Sequence, residues 1–509
     1  VLSLEDRRRY RELFWDDYYS VIKNFLSKNP EKDALFPSKN KRIAQILVIY
    51  FINEMWRVVD TTTLKNKQQF ISEQALLNSK GVTWLVKKGK INLSLGAVSN
   101  FASKFIVYWS YATAKSFYYS LFPGRVAKAT LIFDVSRQVY FRHGSLESFK
   151  NFLRKGPIKS FREATHFVIE GNPADSEQGF WFSSRPLFES VKLKLFKFLD
   201  PLALLALQIK YFFIYFIYGL RDSKNWLLYR DLPYQGIAEF LNKNDFLQEV
   251  FLTQSGIQEQ KLWLSDVKRK KFCTSLLWYS VNSKAFRYYP DQSHGIHPFF
   301  LNARVDFNYV WNKHEAKWTK DIAPLSRCEI VEPIIFYLPD SKPILKAIAH
   351  NEFNVVIFDV APHVRSIYTP SFYSYHCTQN CIKFIEDINE SFNTVAKELN
   401  YKFNIYIKHK RSPSKTHHDQ KYFNFVDSKN YHKLETDANV FDLIDQADIC
   451  IVSPYSSPMF VSKKNNCIYY DPTGDLINDY PNYLFAQTVE QLVDLLKTKV
   501  EDDSIKKAD

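Results

Sequence analysis

The feature that most limits what this chain can fold into is an alternation that begins near Lys128. Short apolar runs ending in polar residues take turns with amphipathic stretches: Ala129–Asp134, His166–Glu170, Trp226–Arg230, Glu249–Gln254, Phe272–Ser280 and Phe307–Trp311. Strand-length runs separated by helical-period segments predict βαβ units and a parallel sheet. A second block starts at Asn354. It holds strand Val355–Asp359, helix Cys381–Leu399, strand Phe403–Lys408, helix Val440–Gln446, strands Ile449–Val452 and Cys467–Tyr470, and a closing helix Val489–Val500. Between the blocks, Glu332–Pro343 carries Pro333, Pro339 and Pro343, which oppose a helix or central strand and mark a linker. The expected fold is α/β, with two Rossmann-like domains at 126–340 and 341–509. They follow a helical N-terminal region, 1–125, in which Leu4–Lys28, Arg42–Val59 and the aromatic run Phe101–Phe122 read as helices. A hinge between two such domains puts a ligand in the cleft.

Composition narrows the function. The 509 residues suffice for two or three cores. Only 13 are glycine, and neither GxGxxG nor GxxxxGK[ST] occurs, so dinucleotide and Walker-type loops are disfavoured. Six cysteines form no CxxC pair, and the first residues show no signal-peptide pattern. Both point to a reducing cytoplasm, without a disulfide framework or zinc site. The net charge of +14 asks for an anionic partner, yet the basic residues are dispersed and no nucleic-acid signature accompanies them. No nucleic acid is expected. A charged substrate or a membrane surface is. Leu202–Leu220 is almost wholly apolar, but Gln208 and Lys210 near its middle are costly for a spanning helix. It is expected to be a buried helix, or one resting an aromatic face (Phe212, Phe213, Phe216) on a membrane.

Candidate chemistry gathers in the second block. Between its strands at 449–452 and 467–470 lies Ser453-Pro454-Tyr455-Ser456-Ser457-Pro458. A helix starting near Ser456 and Ser457 offers free N–H groups and a positive dipole end to a phosphate. Ser and Pro also start helices for purely structural reasons. Strand Phe403–Lys408 runs into His409-Lys410-Arg411, so Lys408, Lys410 and Arg411 form a cationic strand end suited to phosphate, unless it is only a solvated basic loop. Arg365, after Val355–Asp359, adds a third loop at the same edge. In the first block, Glu170 and Asp231 are carboxylates at loop starts, fit for a base or nucleophile or for ordinary capping. His294, in His294-Gly295-Ile296-His297-Pro298, is a further acid–base candidate, with no carboxylate at metal-ligand spacing. Neither GxSxG nor HExxH is present.

These residues carry a resemblance. Phe307–Glu315 followed by Ile330-Val331-Glu332-Pro333 resembles the last strand–helix–strand of an amino-terminal GT-B glycosyltransferase domain. Val355–Pro362, the Lys408–Arg411 loop, and Ser453–Pro458 followed by Tyr469–Gly474 resemble the carboxy-terminal domain of bacterial surface-carbohydrate (capsule and lipopolysaccharide) glycosyltransferases. Those are similar to GT-B transferases of CMP-sugars, such as Kdo and polysialyl transferases. The resemblance implies a metal-independent glycosyltransferase without cofactor, cytoplasmic and peripheral at the inner membrane. Its donor would be a nucleotide-sugar, CMP-sugar favoured, and its acceptor a surface polysaccharide or lipid-linked glycan. Cationic groups and N–H donors would hold the departing phosphate, and Asp231 or Glu170 would deprotonate the acceptor or form an adduct. Two alternatives stand: a polyol-phosphate transferase of teichoic-acid type, for which a histidine loop would be essential, and an inactive GT-B scaffold that binds glycan.

Overall fold

Runs such as Phe353-Asn354-Val355-Val356-Ile357-Phe358, buried at every position, fold as strands of a parallel sheet covered on both faces. The computed structural model describes residues 25–30, 37–47, 76–79, 82–85, 90–122, 124–133, 146–195, 197–253, 260–267, 270–279, 304–346, 349, 351–360, 362, 377–410, 419–453, 456–462, 466–474, 478 and 483–508.

The region read as helical also contains an antiparallel sheet of β1 (Leu76–Ser79), β2 (Val82–Leu85) and β3 (Lys90–Leu93). Ser79 pairs with Val82, so Lys80-Gly81 connects the strands, a short Gly-containing hairpin signal that helical periodicity masks. Helix α1 (Leu95–Ser120) follows, started by Ser94, whose hydroxyl accepts the Ala97 N–H.

Seven parallel strands form the first large sheet: β4 (Ala129–Phe133), β5 (Phe167–Glu170), β6 (Phe180–Ser183), β7 (Leu247–Thr253), β8 (Cys273–Leu277), β9 (Phe307–Val310) and β10 (Arg327–Ile330). Its helices are α2 (Leu146–Lys155), α3 (Lys159–Glu163), α4 (Pro186–Leu193), α5 (Asp200–Arg221), α6 (Leu232–Lys243) and α7 (Lys313–Ile322). The spatial order is β10-β9-β8-β7-β4-β5-β6. Trp226–Arg230, expected as a strand, lies in a 3-10 helix, Ser223–Arg230, which buries Trp226, Leu227, Leu228 and Tyr229 together. Four consecutive apolar residues satisfy a buried helical turn as well as they satisfy a strand.

The second sheet has six parallel strands: β11 (Glu352–Phe358), β12 (Lys402–Lys408), β13 (His432–Lys433), β14 (Ile449–Val452), β15 (Cys467–Tyr470) and β16 (Leu484–Ala486). Helices α8 (Thr378–Leu399), α9 (Gln420–Asp427), α10 (Val440–Gln446), α11 (Pro458–Val461) and α12 (Val489–Ala508) accompany it. The order β13-β12-β11-β14-β15-β16 is 3-2-1-4-5-6 counted along the chain. The first sheet repeats that order with a seventh strand added beyond its sixth. Both are Rossmann-like, and the fold is α/β.

The proline-marked linker is pinned to both sheets. Ile334 and Phe336 are buried in the first domain's core, while Tyr337 is buried in the second's. The Asp442 carboxylate accepts the N–H groups of Asp340, Ser341 and Lys342. Near the linker, Phe460 of α11 packs edge-on against Trp311 at 6.3 Å. Trp311 directly follows β9, and Phe460 sits in the helical turn that comes after β14.

Helix α5 explains the apolar segment. One face buries Leu204, Leu207, Gln208, Tyr211, Tyr215 and Gly219. A Cβ on Gly219 would lie 2.4 Å from the Trp226 ring, so only glycine lets the helix approach. Lys210 reaches sideways to Glu239 at 3.1 Å. The opposite face is exposed and apolar. By length and composition α5 is long enough to cross a membrane, yet 33% of its most apolar window is buried in the protein.

Candidate functional site

In an open sheet of this order, the loops leaving strands 1 and 4 diverge to opposite faces and open a crevice at their carboxyl ends. In the second domain those strands are β11 and β14, which are followed directly by Asp359 and Ser453. Asp359 is buried, with three donors on its carboxylate. His409 Nδ1 lies 2.6 Å from Oδ2, Tyr422 Oη donates to Oδ2 at 2.8 Å, and the Lys410 N–H donates to Oδ1 at 2.8 Å. Burial pushes the Asp359 carboxyl up, but the His409 charge and these hydrogen bonds outweigh it, leaving the group below its ordinary range. For His409, burial favours the neutral ring, and the Asp359 carboxylate outweighs that, so its pKa lies above the ordinary 6.5. With Nδ1 committed to Asp359, Nε2 is the nitrogen left to meet a ligand. Ser453, Asn380 and Tyr422 line one small hollow beside this pair.

The predicted donor residues fare differently. Lys408 is buried and spends its ammonium on the Thr436 carbonyl at 2.8 Å, which corrects its reading as a phosphate ligand. His409, next to it, is equally buried, and Lys410 beyond the strand's end is half-buried. Ser456 is buried too, its hydroxyl donating to the Ser453 carbonyl at 2.7 Å, so it braces the corner from inside. The expected helix at Ser456–Ser457 shrinks to the single turn α11, and the Ser457 side chain makes no capping bond. Ser453 and Lys410 remain at the crevice. Arg365, Arg411 and His294 lie outside the described residues. His409 and Asp359 are what the sequence reading passed over. The signal was an acid ending one strand and an imidazole ending the next.

In the first domain, strands 1 and 4 are β4 and β7. Their ends, Phe133 and Leu252, line a cavity of about 370 Å³, together with Glu170 at the end of β5. Arg185, Arg230, Lys261, Tyr234 and Trp263 also face it. Asp231 does not. It is fully buried and accepts a bidentate pair from Arg42, Nε to Oδ2 at 2.6 Å and Nη2 to Oδ1 at 3.1 Å, plus the Leu262 N–H at 3.2 Å. A carboxylate so enclosed has no access to an acceptor, and its catalytic reading is corrected to a structural one. Glu170 stays as the carboxylate at this crevice, half-buried.

The chain belongs to the polysaccharide biosynthesis PFTS motif family, whose profile matches residues 207–498. No curated protein matches it. Among solved structures, the chain is similar to the wall teichoic acid polymerase TagF, at 10% identity over 81% of this chain and 90% of that one, with a TM-score of 0.38. It is also similar to the pneumococcal O-GlcNAc transferase GtfA in complex with UDP and GlcNAc, at 13% identity over 52% of each chain, with a TM-score of 0.31. The chain thus spans about half the length of GtfA.

Proposed function

We propose that the protein is a GT-B-type glycosyltransferase of surface-polysaccharide synthesis, with a nucleotide-sugar held at the β11–β14 crevice and the acceptor at the β4–β7 cavity. The observation that carries this reading is the repetition of one strand order in two domains, with charged and polar groups at the carboxyl edge of each sheet. His409, whose charged form Asp359 favours, and Lys410 would neutralise the departing nucleotide phosphate. Glu170 would take the proton of the acceptor hydroxyl. The resemblance favours a CMP-sugar donor, and the family membership agrees with a glycan acceptor. The exposed face of α5 would rest on the inner membrane, where lipid-linked acceptors lie.

A thermal-shift panel of CMP, UDP, GDP and CDP-glycerol, with and without EDTA, tests donor class and metal independence together. Replacing His409 by Ala should lower the preferred nucleotide's affinity about tenfold, the loss of one charge-assisted contact. Equal affinity in wild type and variant sinks the donor site. The Asp359–His409 pair also favours a second reading, transfer of a polyol-phosphate, in which the imidazole serves phosphate chemistry directly. A response to CDP-glycerol alone would select it.

A further inference from the structure

We propose that the cavity at the β4–β7 crevice takes a phosphate-bearing group, so that the acceptor is an anionic glycan or glycolipid and not a neutral one. This deepens the reading above and rests on it. Among the described residues that line the cavity, Arg185, Arg230 and Lys261 are cationic and Glu170 is the carboxylate. A phosphate meets the bidentate geometry that guanidinium offers. Arg185 is oriented for this, its guanidinium stacked 4.3 Å from the Tyr111 ring centroid on α1. It also precedes the first turn of α4, whose positive dipole end faces the same space. Burial raises the pKa of the Tyr234 hydroxyl on the same wall, and the charges of Arg185 and Arg230 oppose that rise. Tyr234 and Trp263 supply ring faces of the kind that pack against a sugar, and about 370 Å³ is in the range of small-molecule sites. The α1 wall leads on to α5, whose outer face is apolar, so the phosphate could come from a soluble glycan or from a lipid headgroup.

The test is calorimetric titration of the full chain with glucose 1-phosphate, with glucose as the uncharged control. Binding of the phosphate at least tenfold tighter than glucose, weakening as salt is raised, is expected. Arg185→Gln and Arg230→Gln should each weaken glucose 1-phosphate at least about fivefold, while nucleotide affinity stays unchanged. Lys261→Gln is a third probe should either arginine variant fold poorly. Flotation with phosphatidylglycerol–phosphatidylcholine vesicles, against phosphatidylcholine alone, separates the sources. A variant-sensitive preference for the anionic vesicles assigns the lipid headgroup, and glucose 1-phosphate sensitivity without it assigns the soluble glycan. Equal binding of glucose and glucose 1-phosphate, or indifference of all three variants, overturns the inference. So does loss of nucleotide binding in the arginine variants, because the cavity would then be the donor's seat. If no nucleotide binds while the arginine-dependent phosphate binding persists, the anion site stands and the transferase reading falls.

Discussion

At the scale of single residues, two pairs of buried charges look alike and do different work. Asp359–His409 follows the ends of β11 and β12 at the carboxyl edge of the second sheet, whereas Arg42–Asp231 ties the N-terminal region to the start of α6, and both pairs are equally buried. The sign of each shift fixes the pH behaviour of the first pair. His409 has a raised folded-state pKa, so its stabilisation is complete below the ordinary 6.5 and fades as pH rises through the higher value. Asp359 has a lowered one, so its contribution is present above the ordinary 3.8 and fades as pH falls through the lower value. Wild type should therefore lose stability relative to His409→Gln as pH climbs above neutrality, read as urea midpoints across pH. Parallel midpoint curves for the two proteins would mean that the pair is not charged. The second pair predicts a different split. Asp231→Asn leaves Arg42 buried without its counter-ion and should cost about 3–5 kcal/mol of stability. Glu170→Gln should leave stability within about 0.5 kcal/mol and cut transferase turnover about a hundredfold or more. Turnover intact in Glu170→Gln removes it as the base. In the sequence, Asp231 and Glu170 were indistinguishable, because what separates them is Arg42, 189 positions away from Asp231. Lys408 was misleading for a related reason: its partner, the Thr436 carbonyl, lies outside the run of four basic or imidazole residues.

At the scale of elements, period was a good guide where the buried surface was continuous. The β11, β14 and β15 strands and the helix at α10 were legible because each is a short apolar or amphipathic run between polar breaks. β6, the four-residue edge strand Phe180–Ser183, was too short to stand out, and β10 was read only through the resemblance and about three residues late, because Arg327 and Glu329 interrupt its apolar pattern. Helix α5 shows how one element can satisfy two environments. Its solvent side presents Leu202, Ala206, Ile209, Phe213, Ile217 and Leu220 at spacings of three or four, an unbroken apolar stripe. Phe212 and Phe216 are instead half-buried, packed on Phe105 and, for Phe216, on Trp226, so they belong to the core. Charge near the stripe is basic: Lys197 and Arg221 are exposed, and Asp200 is buried against Lys194. An anionic bilayer suits that combination, with apolar burial supplemented by roughly 1 kcal/mol per basic residue at the surface. Replacing Phe213, Ile217 and Leu220 by Ser should leave the fold intact and abolish flotation with anionic vesicles. Unchanged flotation in a folded triple variant would remove the membrane role, and a change of oligomeric state would reassign the stripe to a second copy of the chain.

At the scale of the whole molecule, the two-domain plan was readable from the break at Glu332–Pro343, but its mechanics were not. Three prolines suggest a loose tether, and the structure shows a tight one. Phe336 holds φ at +62°, a backbone region costly for a non-glycine residue, and its ring packs among Phe149, Phe152 and Tyr279 of the first domain. The next residue, Tyr337, is buried in the second domain. Relative motion would therefore have little free chain to use and is expected to concentrate near the Phe336–Tyr337 peptide, beside the Trp311–Phe460 contact. Nucleotide at the β11–β14 crevice should draw the second domain toward the first, giving a smaller radius of gyration by small-angle scattering at saturation. Phe336→Ala removes the ring that holds the strained turn in the first core. It should enlarge and broaden the unliganded distribution while leaving nucleotide affinity near wild type, because the crevice lies within the second domain. If bound nucleotide leaves the scattering unchanged in wild type but contracts Phe336→Ala, the domains are closed before the donor arrives, and the anchored linker is what closes them. If neither protein responds, donor binding and domain geometry are uncoupled, and the hinge reading of the linker fails.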